Sequence, residues 1–260
     1  MAKRFPLAAS RIGRKTLLAA VLLTASTSGF TDGNIPETPA SPLLQPYEAE
    51  YTTTARGMTM TLERELKTDG EGGYTLTNGG KLLVVGFHEV AVFAVEDSQV
   101  RPRSYIYQGT GLINRRREVH FTPGADTVRS LYKEEWYELP YSEGTLDRMS
   151  QQEQLRLLLM SKDNPRENIS VRIADGKRVK DYVLVYVGDE TLDTPLGLVN
   201  ALHFERLHDD PDRESAIWFA PDWDYMMVKT VHNEDGKPVE VLLKRASIGG
   251  KHLVPATRQP

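Results

Sequence analysis

The chain has no cysteine among its 260 residues. A disulfide-stapled scaffold, a lipid anchor on an N-terminal cysteine and a cysteine-ligated zinc or iron–sulfur site are therefore excluded. No two of the six histidines have the His-x-x-x-His spacing of a helical zinc site. A Gly-x-Ser-x-Gly elbow and a phosphate-binding glycine loop are also missing. Beyond the first residues no run is apolar enough to cross a bilayer, which takes about 20 residues as a helix. These absences leave no catalytic residue, metal ligand or cofactor to assign from sequence.

What is present begins with a targeting pattern. Lys3, Arg4, Arg11, Arg14 and Lys15 precede the apolar run Thr16 to Leu23, and Ala25, Ser26, Ser28 and Gly29 follow it. A basic start, a short apolar run and small residues describe a secretory signal peptide. We expect residues 1–30 to be that peptide, cleaved between Ala25 and Phe30, and the mature protein to reside in the periplasm. The whole chain has 32 Lys+Arg and 36 Asp+Glu; without the leader, 27 basic and 36 acidic side chains remain, net −9. That balance argues against a nucleic-acid binder and against a protein held on anionic lipid by charge.

Residues 31–45 are rich in proline, threonine and serine and read as a linker. From residue 46 to 247 the pattern is that of a single β-rich domain, with a flexible tail at 248–260. Tyr47, Ala49 and Tyr51 alternate with polar residues, as do Met58, Met60 and Leu62. Alternation of this kind gives a strand one buried and one wet face. Turn dipeptides recur at short intervals: Asp69-Gly70, Gly72-Gly73, Asn78-Gly79-Gly80, Pro123-Gly124, Asp175-Gly176 and Asp235-Gly236. Asn78-Gly79-Gly80-Lys81 is read as a hairpin turn. The expected fold is mainly β, a large bent antiparallel sheet (half-barrel or sandwich-like) with one packed α-helix. The helix is placed at Gln151 to Lys162. Ser150-x-x-Glu153 supplies a capping box, Leu155, Leu158 and Leu159 share one face, and Asn164-Pro165 stops the run.

Candidate sites are few. Trp136, Tyr137 and Tyr141 fall in a connection ahead of the helix. Trp218, Phe219, Trp223 and Tyr225 surround the corner Ala220-Pro221-Asp222. Aromatic walls of this kind suit either an apolar pocket or a packed corner. Arg115, Arg116 and Arg117 precede a strand, where neighbours point to opposite faces and cannot all converge. His203, His208 and the acidic stretch Asp209, Asp210 and Asp212 fit a solvated turn better than a metal loop.

Several of these pieces together resemble a known family. They are Tyr47-x-Ala49-x-Tyr51, Arg101-Pro102-x-x-Tyr105, Leu146-Asp147, and Leu192-Asp193-Thr194-Pro195-Leu196-Gly197 after the strand Asp181–Tyr186. Trp218-Phe219-Ala220-Pro221-Asp222 with Tyr225 completes the set. In this order, from Tyr47 to Lys244, the chain resembles the secreted, mostly periplasmic bacterial family called domain of unknown function 3108. It departs where that family tends to carry a proline, having Met226-Met227-Val228 instead. The resemblance implies an address and an architecture but no reaction, and no catalytic residue is carried over.

Two readings follow. The first is a non-catalytic binding or envelope-associated protein that holds an apolar or lipid-like ligand, by fold-level likeness to half-barrel carriers. It places ligand contacts at Leu155, Leu158, Leu159, Trp218, Phe219 and Tyr225. Met58, Met60, Leu184, Tyr186 and Ile217 would line the groove, and the helix would be its lid. The second is a periplasmic hydrolase acting on an envelope polymer, for which Asp193, His203, His208, Asp209 and Asp222 would have to converge.

Overall fold

The computed structural model describes residues 44–55, 58–112, 114–208, 213–234 and 237–255. The expected signal peptide, nearly all of the expected linker, and Asp209, Asp210 and Asp212 lie outside the described residues.

The alternating segments become two antiparallel meanders. The first contains β1 (Tyr47–Ala55), β2 (Met58–Thr68), β3 (Gly73–Leu82), β4 (Val85–Glu96), β5 (Gln99–Gly111), β6 (Arg116–Phe121), β7 (Thr127–Tyr132) and β8 (Glu135–Pro140). The second follows β9 (Thr145–Leu146) and α1 (Ser150–Ser161). It contains β10 (Ile169–Asp175), β11 (Arg178–Thr194), β12 (Gly197–Arg206), β13 (Arg213–Ala220), β14 (Met226–Glu234) and β15 (Lys237–Ile248). β1 pairs with β15, Tyr47 facing Ile248 and Thr54 facing Glu240, so the meanders form one sheet from β8 through β1 and β15 to β10. β9 adds to β10 in parallel, and β16 (Lys251–His252) folds back onto β15.

The sheet curls without closing by strand pairing. Four residues join β8 to β9, so the two edge regions stay near each other. Side chains span the gap. Ser130 Oγ on β7 donates to the Gly176 carbonyl at 2.8 Å, and Asp175 meets Arg117 at 3.6 Å and Arg148 at 3.4 Å. The concave side is filled by one core in which Leu76, Phe93, Tyr105, Leu157, Phe204 and Phe219 are fully buried.

Three local expectations are corrected. Asn78-Gly79-Gly80 lies inside β3, and the chain turns instead at Leu83-Val84. The glycines are needed for close approach: a Cβ on Gly80 would sit 2.6 Å from Leu62 Cδ2. Trp136 and Tyr137 lie on β8, not in a connection. The β7–β8 turn uses Lys133 and Glu134 at φ 52° and 67°, positions where Asn, Asp or Gly would have signalled a hairpin. The capping box is not formed either. Asp147 Oδ1 accepts from the amides of Met149 (2.8 Å) and Ser150 (2.9 Å), while Ser150 Oγ accepts from the Asp147 amide. Glu153 is thereby released for another role.

The helix itself stands within one residue of its expected bounds, but its burial differs. Leu155, Leu157 and Leu159 are buried together with Glu153, Gln154 and Arg156, whereas Leu158 is half-buried. An amphipathic helix on a surface buries one stripe. This one is held within the curve of the sheet and buries most of its circumference. Gln154 Oε1 accepts from the Val100 amide at 2.7 Å, which ties it to β5.

Candidate functional site

Inside the curve, charge is matched to charge. Glu153 is 1% exposed and takes Tyr47 OH at 2.7 Å, Arg64 Nη2 at 3.2 Å and Arg156 Nη1 at 2.8 Å. Arg64 Nε also donates to Tyr47 OH at 2.7 Å, and Arg156 Nε donates to the Asp224 carbonyl at 3.1 Å. Burial penalises the Glu153 carboxylate, yet Arg156 and Arg64 outweigh that and hold it below the ordinary carboxylate range. Burial pushes the Tyr51 hydroxyl up to about 12, and it donates to the Met227 carbonyl at 3.0 Å. The free space beside this network is about 10 Å³, bordered by Tyr47, Arg64, Gln152, Arg156 and Phe219 among others. That is room for about one water molecule.

A larger space lies on the outer face of the sheet. It is an open groove of about 410 Å³ across β15, β1, β2, β3 and β4. The β1–β2 register sets Glu48 opposite Glu65 and Glu50 opposite Glu63, two like-charge pairs on one face. Gly79 lies opposite both Glu63 and His88, and without a side chain it leaves that row open. His88, Arg245, Ser247 and His252 complete the walls. Lys244 and Arg245 both reach Glu50 at 2.5 Å and hold its carboxyl below the ordinary range, the Lys244 hydrogen bond first. Lys67 meets Glu65 at 2.9 Å. Among the described residues Glu48 and Glu63 have no ion pair. The groove can therefore accept hydrogen bonds from a polar or cationic group. No cluster of three or more His, Asp or Glu among the described residues is placed to hold a metal ion.

The apolar candidates do not share one space. Leu155 and Leu159 are core residues. Trp218 and Phe219, as strand neighbours, point to opposite faces. Trp218 stacks on His203 at 4.2 Å and donates to Glu190 Oε2 at 2.9 Å; Phe219 packs edge-on against Phe204 in the core. Tyr225 follows a short 3-10 turn, Pro221–Trp223, at φ 52° and is half-buried against the core. Of these six residues, only Phe219 borders either space described above. Leu184 is buried, Met60, Tyr186 and Ile217 are partly buried, and Met58 is exposed.

The polar candidates are spread along the second meander. His203 Nδ1 lies 2.7 Å from Glu190 Oε1, while His208 Nε2 lies 3.1 Å from Ser215 Oγ. Asp193 is the last residue but one of β11 and Asp222 is in the 3-10 turn, both exposed. No described bond joins Asp193, His203, His208 or Asp222 to one another. Sequence reasoning missed Ser215, which also lies 2.9 Å from His232 Nδ1. It also missed the whole outer groove, whose residues are distant in sequence and are brought together by strand register.

The Thr194-Pro195-Leu196-Gly197 motif is a corner. Thr194 Oγ1 donates to the Gly197 carbonyl at 2.8 Å and accepts from the Leu196 amide at 3.2 Å, and Gly197 takes φ 117°. Among the described residues no helix is long and apolar enough to cross a membrane.

One solved structure shares this architecture, and others match more weakly. A beta-barrel-like protein of domain of unknown function DUF1849 from Brucella abortus matches with a TM-score of 0.53 at 12% identity, over 80% of this chain and 99% of that one. A supposed exported protein with a YmcC-like fold from Bacteroides fragilis matches with a TM-score of 0.31 at 12% identity, over 79% and 96%. A hypothetical protein from Chlamydia trachomatis matches with a TM-score of 0.30 at 9% identity, over 84% and 93%. No curated protein matches the sequence. Residues 47–237 match the family model described as Protein of unknown function (DUF3108), and the chain belongs to that family.

Proposed function

We propose that the protein is a non-catalytic, envelope-associated binding protein of the periplasm, and that the outer groove is where it binds. The observation that carries this reading is the contrast in free space: about 410 Å³ in a polar groove outside against about 10 Å³ beside the helix inside. A lipid-like ligand at Leu155, Leu158 and Leu159 would require α1 to move out of the curve. That movement would break the Glu153 ion pairs and expose buried leucines. The leader pattern and the family resemblance support the periplasmic address.

The test is native mass spectrometry of the protein recovered from the envelope fraction, with extraction and identification of anything bound. A polar or cationic compound that is retained by the wild type and lost from Glu48→Gln/Glu63→Gln supports the reading. A stoichiometric apolar molecule, insensitive to those substitutions, overturns the groove and restores the carrier.

A further inference from the structure

The register places seven connections at one end of the sheet. Thr54 faces both Thr59 and Glu240, Leu82 faces Val85, Val85 faces Gly111, and Arg213 faces Glu234. Arg117 faces Tyr132, and Leu184 faces Arg206, so the β1–β2, β3–β4, β5–β6, β7–β8, β10–β11, β12–β13 and β14–β15 connections share that end. They differ sharply in chemistry.

The β3–β4 turn is built against both local rules. Its two central residues are Leu83, 77% exposed, and Val84, 61% exposed. Burial does not account for apolar side chains there. Leu83 also takes φ 55°, a left-handed conformation that a two-residue turn ordinarily gives to glycine. The sequence has an Asn-Gly pair close by, and the fold leaves it inside β3. Leu112, 81% exposed, tops the adjoining β5–β6 connection. Its amide donates to the Val84 carbonyl at 3.2 Å, so the two tips are bonded into one apolar edge. Gly111 permits this contact, because a Cβ there would fall 1.7 Å from the Val84 oxygen. Met58, also exposed, opens β2 at the same end.

Cations stand beside these tips. Segments 80–88 and 108–117 contain Lys81, Arg115, Arg116 and Arg117 and no Asp or Glu. Arg116 is engaged by Glu118, and Arg117 by Asp175. Lys81 and Arg115 are exposed and have no ion pair among the described residues. The β7–β8 turn adds Lys133 and Glu134, and the β10–β11 turn adds Lys177. The net charge of −9 outside the leader is an average over the whole chain, and it conceals these cations beside the apolar tips. Protruding apolar tips flanked by cations match an anionic bilayer surface, where the apolar groups enter the headgroup layer and the cations meet phosphates.

We propose that the β3–β4 and β5–β6 tips are a membrane-docking edge that sets Leu83, Val84 and Leu112 into the headgroup layer of an anionic bilayer. The inference is independent of the groove, which lies on the outer face and not at the tips. Hydrogen exchange of the full chain, with and without vesicles, tests it locally, whatever the leader does. Vesicles of phosphatidylcholine with phosphatidylglycerol should slow exchange at 80–88 and 108–117 by about tenfold, and pure phosphatidylcholine should slow it less. The triple variant Leu83→Gly/Val84→Ser/Leu112→Ser should keep the wild-type circular dichroism, since glycine relaxes the positive φ, and should lose the protection. Unchanged exchange at these segments with either vesicle overturns the proposal and leaves a protein partner as the occupant of the tips. Equal protection in the triple variant also overturns it.

Discussion

Glu153 and Glu63 are the same side chain in opposite situations. Glu153 is buried within the curve between two guanidiniums and a tyrosine hydroxyl. Glu63 is exposed on the outer face, opposite Glu50, with no cation of its own among the described residues. A buried charge persists only if it is paired and hydrogen-bonded, so the inner carboxylate is explained by the fold it stabilises. A carboxylate set opposite another across two strands costs stability and is not required by packing. The difference teaches that the inside of this molecule is devoted to holding its shape, while unexplained chemistry lies outside, in the groove and at the hairpin tips.

Removing one partner of the inner network should have the largest effect. Arg64→Met should destabilise the protein by about 3–5 kcal/mol, because Glu153 and Tyr47 lose a donor they cannot replace; urea unfolding measures it. Leu157→Ala should cost about 3 kcal/mol by the same measurement, since a fully buried helix side chain leaves a cavity. The equivalent change at exposed Leu83 should leave stability nearly unchanged.

Acid should also separate the two regions. Glu153 has a folded value depressed below its ordinary 4.5 by Arg156 and Arg64. Its contribution is therefore complete above 4.5 and is lost as pH falls through the lower folded value. Urea midpoints measured downward from neutral pH should drop more steeply in this range for wild type than for Glu153→Gln. Thr194→Ala should cost about 1 kcal/mol, because it removes the hydroxyl that ties one corner.

Much of the scaffold was legible in the sequence. Alternation at Tyr47, Ala49 and Tyr51 correctly set the inner face of β1, and the helix bounds followed from its flanking residues. The Thr-Pro-Leu-Gly and Trp-Phe-Ala-Pro-Asp pieces proved to be corners. Legibility failed where a tertiary contact overrides a local signal. Gly79-Gly80 serves close packing, not a turn, and the true turns at Leu83-Val84 and Lys133-Glu134 use residues without turn chemistry. Leu157 was missed because a helix enclosed by a curled sheet has no single apolar face. The groove was illegible for a different reason. Glu48, Glu63, His88 and Arg245 become neighbours only through the pairing of β15, β1, β2, β3 and β4. The net charge misled in the same way, since it averages over the whole chain and hides the cations near Leu83 and Leu112.

The most direct test is to unfold Glu153→Gln and Glu63→Gln in urea side by side. The inner substitution should lower stability by about 3 kcal/mol by leaving two buried cations with no counter-charge. The outer one should change it by less than about 0.5 kcal/mol, or raise it slightly by relieving repulsion with Glu50. Equal losses at both positions would contradict the division between a structural interior and a working exterior.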